Sequence, residues 1–370
     1  MGNEDAALRF RKGALLRPKY THLPSRPDNA SLPFNPLLGV AGVVTGMVGI
    51  AEIEAARERL KPHVATTPLV RSESLSGQMG VPVFLKLENY QPTGSFKLRG
   101  ATNALLCLSE EEQRKGLVTA STGNHGRALA HAASALGLRA TICLSRLVPH
   151  NKVEAIRKLG AQVCIIGKSQ DEAMAEAERF VREKGMNEIP PFDDPRIIAG
   201  QGTIGLEIVD ALADVATVLV PLSGGGLAAG IAAAIKAKRP EAKVIGVSMR
   251  RGAAMQASLA AGKPVEVEEL DTLADSLGGG IGLHNRWTFN MCRALLDDVI
   301  LLDEEEIAAG IRHAAMTEGE IIEGAAAVGI AVMLAGKIRP EGPTAIIISG
   351  GNIDPEQHRA IMEQSYLRAG

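Results

Sequence analysis

The stretch Val81-Pro82-Val83-Phe84-Leu85-Lys86-Leu87-Glu88, followed by Pro92-Thr93-Gly94-Ser95-Phe96-Lys97, decides how the chain reads. Its first half alternates like a strand. After it, Leu98, Ala101 and Leu105 fall on one helical stripe. Ser95 has the chemistry of an N-cap, and Gly94 lets the chain turn tightly before it. Lys97 then stands at a strand-to-helix junction, near the positive end of a helix dipole. Partial burial and the dipole both disfavour an ammonium there, and a neutral amine can attack a carbonyl to form a Schiff base. Taken alone, a solvated first-turn lysine is the better reading, and the rest of the chain must decide.

Outward from this unit the alternation repeats. Strands are expected over 81–87, 116–120, 139–144, 162–166, 217–221, 243–248, 298–302 and 344–348. Helices are expected over 50–60, 97–107, 126–136, 151–159, 170–184, 202–213, 226–238, 304–317 and 323–336. Such spacing implies βαβ crossovers, and hence an α/β fold with a mainly parallel sheet. The stretch 185–194, with Pro190-Pro191 and Asp193-Asp194-Pro195 at its end, reads as a linker. Residues 119–190 suit a small domain set between 47–118 and 191–370, which form a larger one. The Gly-rich, irregular region 250–296 is expected to cover a site or an interface. Residues 1–46 mix Arg, Lys, Pro and Asn without a period and read as a poorly ordered extension; Met47 is an alternative start.

Composition narrows the classes. The 370 residues are 46% hydrophobic, which supplies ample core, but only 3% aromatic, so that core rests on Ala, Val, Ile and Leu. A net charge of −2 gives no basic field to recruit nucleic acid or anionic lipid. No apolar run approaches the ~18 residues of a membrane span. The four cysteines Cys107, Cys143, Cys164 and Cys292 form no close pair in sequence and no Cys/His cluster, which argues against disulfides and structural zinc and suits the cytoplasm.

Three further loops follow strands. Ser121-Thr122-Gly123-Asn124-His125-Gly126 can offer backbone N–H groups to a carboxylate, and Asn124 can bond a phenolic or carbonyl oxygen; an ordinary βα turn is an equal reading. Ser223-Gly224-Gly225-Gly226-Leu227 is a phosphate cradle: bare amides at a helix start. It has neither dinucleotide nor P-loop spacing. Ser349-Gly350-Gly351-Asn352 ends a strand at its carboxyl edge, where the Ser349 hydroxyl can meet a ring nitrogen. Gly278-Gly279-Gly280 and Glu323 read by themselves as structure. A lysine for a Schiff base, nests for phosphate and carboxylate, and a polar group for a ring nitrogen together describe pyridoxal phosphate and an amino acid.

These motifs, in order from about residue 50 to 355, resemble the threonine/serine dehydratase family, to which serine racemase is related. The resemblance implies the fold type II, tryptophan synthase β-like architecture: two open, mostly parallel sheets with helices on both faces. It implies that Lys97 is the Schiff-base lysine, that Phe96 lies beside the pyridine ring, and that Asn124 bonds the ring hydroxyl. Ser223, Gly224, Gly225, Gly226 and Leu227 would hold the phosphate, and Ser349 the ring nitrogen. Ser121, Thr122, Gly123, Asn124 and His125 would bind the substrate carboxylate, with Thr122 also a catalytic candidate; Glu323 would face the cofactor. Ser248, Gly252 and Ala254 stand where relatives with a divalent cation carry its ligands, so no metal is expected.

The implied activity is β-elimination from a 3-hydroxy amino acid, giving a 2-oxo acid and ammonia, in a homodimer or homotetramer. The stretch 275–286 looks closer to the branch assigned to hydroxyectoine utilisation and to 3-hydroxyaspartate ammonia-lyases. For a second substrate carboxylate, Arg127, Arg250 and Arg286 are the candidate cations. Thr122, where racemases carry Ser, lowers the case for racemisation. A cofactor- or small-molecule-binding protein without catalysis is the reading from a different class.

Overall fold

The computed structural model describes residues 47–368 apart from Thr122 and Pro149, so the expected extension over 1–46 lies outside the described residues. The strands are β1 (Leu69–Arg71), β2 (Val83–Leu87), β3 (Leu117–Thr119), β4 (Ala140–Leu144), β5 (Gln162–Ile165), β6 (Asn187–Glu188), β7 (Thr217–Pro221), β8 (Lys243–Met249), β9 (Asp298–Leu302) and β10 (Thr344–Ile348). One six-stranded sheet has the order β1-β2-β10-β7-β8-β9 and one four-stranded sheet the order β5-β4-β3-β6. Every pairing is parallel except β1 with β2.

The apolar runs become central strands because both faces are covered. β7 and β10 are buried along their whole length. Val218, Val220, Ala345 and Ile347 enter one apolar layer with Ile204 and Ile231, while Leu219, Ile346 and Ile348 enter another with Ile307 and Val328. This is the period-two alternation of a sheet with helices on each side.

Each strand expected from the sequence is present: β7, β9 and β10 within the expected bounds, β8 longer by one residue, and β2 to β5 trimmed. β2 begins at Val83 rather than 81, since Pro82 has no N–H and only its carbonyl joins the ladder, accepting from Thr344. Gly116, at φ 83, turns the chain just before β3. Two strands were not anticipated, β1 and β6, which have 3 and 2 residues and show no periodicity. β6 corrects the linker reading of 185–194. The next helix, Pro195–Ala211, starts where that stretch ends rather than at the expected 202: Asp194 caps it, and Pro195 opens it. The helices Ala254–Ala261 and Thr288–Leu295 lie in the region read as irregular, and Glu73–Met79, Glu110–Lys115 and Pro355–Arg368 were also unexpected.

The four cysteines are free, as expected, though two of them are brought side by side. Cys143 and Cys164 are register partners on β4 and β5, packed in one apolar cluster. Burial pushes the Cys143 thiol up to about 12, so it behaves as a small hydrophobe. Among the described residues, no helix is long and apolar enough to cross a membrane, and no group of three or more His, Cys, Asp or Glu is placed to hold a metal ion.

The helix Pro195–Ala211 packs between two helices that carry the motifs. A Cβ on Gly200 would lie 2.7 Å from the carbonyl oxygen of Arg99, in the helix Lys97–Leu106. A Cβ on Gly230, in the helix Gly226–Lys238, would lie 2.4 Å from the carbonyl oxygen of Ile198. At both places backbone meets backbone, and only glycine permits it.

Candidate active site

A cavity of about 350 Å³ is lined by Phe96, Lys97, Ser121, Gly123, Asn124, His125, Ser223, Gly224, Gly225, Gly226, Leu227, Glu323 and Ser349. These are the residues singled out in the sequence, with one exception: Thr122 lies outside the described residues. Parallel strands bring them together, because the loops after β2, β3, β7 and β10 all leave from carboxyl ends.

Lys97 opens its helix, as expected, but Ser95 does not cap it. The N-cap is Phe96, with no side-chain cap bond, while Ser95 forms a bridge with Gly350 and its buried hydroxyl has no partner. The Phe96 N–H donates to the Ser349 carbonyl at 3.0 Å, tying the lysine loop to the end of β10. Lys97 Nζ donates to the Pro191 carbonyl at 2.7 Å and stands 5.2 Å from the centroid of the Phe96 ring. Burial pulls this ammonium down to about 8, against the pull of the Glu323 carboxylate.

The glycine loop ends in Gly225, at φ 89, which precedes the helix Gly226–Lys238 with no side-chain cap. The first-turn amides therefore have no partner in the helix. A Cβ on Gly224 would lie 2.4 Å from the Phe192 ring, and one on Gly225 would lie 2.7 Å from Met255 Cε. Bare backbone lines the cradle, and side chains close it from behind.

Asn124 and His125 begin the helix Asn124–Ala135 rather than preceding it. Asn124 Nδ2 donates to both Glu323 oxygens, at 2.8 and 3.1 Å. Burial pushes Glu323 up to about 7, and Asp275 adds to this; N–H groups of Asn124 and Asn352 and the charge of Lys97 oppose it. His125 Nε2 lies 2.8 Å from the Ile189 carbonyl oxygen, which accepts only, so this nitrogen carries the proton. Burial, then Lys97, pull its pKa down to about 3, so His125 is neutral. Ser248, at the expected empty cation position, is buried with its hydroxyl 3.3 Å from Met249 Sδ.

The sequence reading missed other parts of the wall. Pro191 and Phe192 come from the supposed linker, and Asp275, Ser276, Leu277 and Gly278 from the region expected only to cover something. Asp193 fixes these two together: its carboxylate accepts from Arg286, Trp287 and Thr288 N–H at 2.7 to 2.9 Å. Behind Lys97, a buried network also went unseen. Arg99 forks onto Glu88 through Nε and Nη2, both at 2.8 Å, and onto Glu207 at 2.6 and 2.9 Å. Lys86 completes it by donating to Glu207 and to the Thr67 carbonyl. Its members come from distant segments, so no local spacing announces them.

Residues 60–350 match the family model of pyridoxal-phosphate-dependent enzymes. The chain belongs to that family. A putative threonine dehydratase of Sinorhizobium fredii NGR234 is 62% identical over 316 residues, which is 85% of this chain and 95% of that protein. The L-threonine ammonia-lyase of Thermotoga maritima is 42% identical over 325 residues, covering 88% and 80%. The solved threonine deaminase isoform 2 of Solanum lycopersicum, in its processed form, superposes with a TM-score of 0.81 at 35% identity, covering 92% of this chain and 98% of that one. The resemblance read from the motifs is thereby borne out, as is the fold type II architecture.

The enzyme's cavity suits pyridoxal phosphate on its own evidence. It offers bare first-turn amides at a helix start where the packing leaves no room for side chains on Gly224 and Gly225, an amine whose charge burial disfavours, and the Asn124 amide on its wall. Each polar corner of the cofactor has a group of the right kind.

Proposed function

We propose that the enzyme is a dehydratase, or ammonia-lyase, that converts threonine and serine to 2-oxo acids and ammonia. The observation that carries this reading is the placing of Lys97, the glycine cradle and Ser349 around one cavity. The relatives named as threonine dehydratase and L-threonine ammonia-lyase support it.

In this reading Ser223, Gly224, Gly225, Gly226 and Leu227 hold the phosphate, Lys97 anchors the cofactor, and Phe96 lies beside its ring. When bound, pyridoxal phosphate supplies a conjugated ring that withdraws electrons from the amino acid's Cα. The freed Lys97 amine takes the Cα proton; an amine with a pKa of about 8 has a substantial neutral fraction near neutrality. Ser121, Gly123, Asn124 and His125 orient the substrate carboxylate through the start of the helix Asn124–Ala135. Neutral His125 brings no charge to that contact. Ser349 presents a hydroxyl to the ring nitrogen and so does not hold it protonated as a carboxylate would. Glu323 adds an ionisable group to the same wall. Segment 119–190 supplies the smaller, substrate-binding part, joined by Leu117 and Val118 because these pair with β4. A cytoplasmic homo-oligomer belongs to the same proposal.

The wall favours monocarboxylic substrates. Among the described residues, none of Arg127, Arg250 and Arg286 lines the cavity, and the charged groups beside Lys97 are Asp275 and Glu323. That opposes a second carboxylate, and hence 3-hydroxyaspartate. Asp275 also favours a second reading, a dehydratase for an amine-bearing amino acid derived from hydroxyectoine. The test is release of 2-oxo acid from threonine, serine, 3-hydroxyaspartate and hydroxyectoine-derived amino acids. Turnover of threonine or serine is expected to lead, and a clear lead by 3-hydroxyaspartate would overturn the reading.

A further inference from the structure

Asn352 is not among the residues lining the cavity, yet it ties together two segments that are. Its Nδ2 donates to the Thr93 carbonyl at 3.0 Å and to Asn124 Oδ1 at 2.6 Å. Asn124 Nδ2 passes the relay on to Glu323 at 2.8 and 3.1 Å. The backbone amide of Asn352 also favours the charged form of Glu323.

The Thr93 end of this relay accepts only, being a peptide carbonyl, and at the other end both Glu323 oxygens accept from Asn124. Thr93 therefore makes Asn352 turn its amide nitrogen inward, and both of its N–H groups are used. Asn124 must answer with its oxygen, which leaves its own NH2 on the side of Glu323. The flipped Asn124 would set oxygen against oxygen at Glu323 and nitrogen against nitrogen at Asn352. Gly94 makes room for the arrangement: a Cβ there would lie 2.7 Å from Asn352 Oδ1. The Gly351 N–H closes the same corner by donating to the Gly94 carbonyl at 2.9 Å.

We propose that Asn352 is a positioning residue that sets the direction of the Asn124 amide, so that Asn124 turns its NH2 toward the cavity wall, where Glu323 accepts from it. The inference rests on the cofactor and not on the choice of substrate. Groups facing Glu323 are Lys97 from the helix Lys97–Leu106, Asp275 from the turn Asp275–Leu277, Asn124 from its helix, and Asn352 itself; neutral His125 stands beside Lys97.

The decisive variant is Asn352→Asp, which keeps the shape, removes both side-chain donors and places a negative charge against Asn124 Oδ1. In the full chain stripped of cofactor, the Kd for pyridoxal phosphate is read from the emission of Trp287, the single tryptophan. The protonation midpoint of Glu323 is read from its carboxylic C=O stretch by infrared difference against Glu323→Gln. The Kd is expected to rise about tenfold and the midpoint to move up by about one pH unit. In an Asn124→Ala background, Asn352→Asp is expected to leave the Kd unchanged, because its effect passes through Asn124. An unaltered Kd and midpoint, or full additivity with Asn124→Ala, would overturn the proposal. Asn352→Ala covers the case in which the Asp variant loses its melting transition: it should weaken binding in the same direction, and additivity there counts equally against it. Neither readout involves substrate, so failure here would leave the dehydratase reading standing.

Discussion

The Lys97 amine donates to the carbonyl of Pro191 at 2.7 Å, so the linker between β6 and the next helix holds the reactive nitrogen. Lys97 also carries the largest claim on the chemistry, and it is the simplest residue to test. In cofactor-free protein, acylation of Lys97 followed by peptide mass spectrometry should show a pH midpoint near 8, well below that of exposed lysines. Lys97→Ala should lose turnover and leave no lysine to which borohydride can fix the cofactor. Retained turnover would refute its assignment.

Glu323 makes stability depend on pH. Burial raises it from 4.5 to about 7, so between those values the folded protein binds a proton that the unfolded chain has released. Stability from this group is therefore present below pH 4.5 and lost as pH rises through about 7. Glu323→Gln should remove that dependence. Without cofactor, the variant should gain on the wild type by on the order of 3 kcal/mol above pH 7 relative to below pH 4.5. Chemical denaturation across that range checks the slope, and parallel curves would contradict it.

Gly225→Ala should harm both binding and folding. The φ of 89 is one that L-residues avoid, and the new Cβ would meet Met255, Cys292 and Thr288 at 2.7 to 3.0 Å. The backbone strain alone is roughly 1–2 kcal/mol. A lowered melting temperature with an affinity for pyridoxal phosphate reduced by about tenfold or more is expected. Equilibrium dialysis of cofactor against the purified variant measures the second effect.

Asp275→Asn should relax selectivity. With one fewer negative charge at the wall, turnover of 3-hydroxyaspartate relative to threonine should rise several-fold, while cofactor affinity holds. Competition between the two substrates, read as kcat/KM, checks this; an unchanged ratio would remove Asp275 from the specificity argument.

Arg99→Met should be among the most destabilising single changes. It would strand Glu88, which is 0% exposed, and take two donors from Glu207. Breaking a buried pair on one side typically loses about 3–5 kcal/mol. Urea denaturation of the cofactor-free protein measures the loss.

What the sequence made legible were features whose cause is local. The alternation in Val83–Leu87 and the apolar run Thr344–Ile348 announce strands because each residue's neighbours fix its face. The loop 223–227 announces an anion nest because three adjacent glycines leave amides bare. The missed features depend on partners far along the chain. Phe192 reads as linker until its ring is found against Gly224, and Arg99 has no reading at all until Glu88 and Glu207 enclose it. Ser95 looked like a cap by type, but it forms an isolated bridge with Gly350 instead. Asn352 stood inside a quoted motif without a role, because only the fold reveals that Asn124 needs something to tell it which way to face.

The glycine contacts through the helix Pro195–Ala211 carry a final implication. Gly200 seats it against the backbone of the lysine helix, and Gly230 seats the phosphate-loop helix against it in turn. At these two points backbone rests on backbone, so no change of rotamer there can alter the spacing. The span from the amine to the phosphate cradle is thus a gauge block cut to one molecule's length. The wall formed by Ser121, Asp275 and Ser276 stands outside that gauge, free to be recut for another substrate without altering the fit of the cofactor.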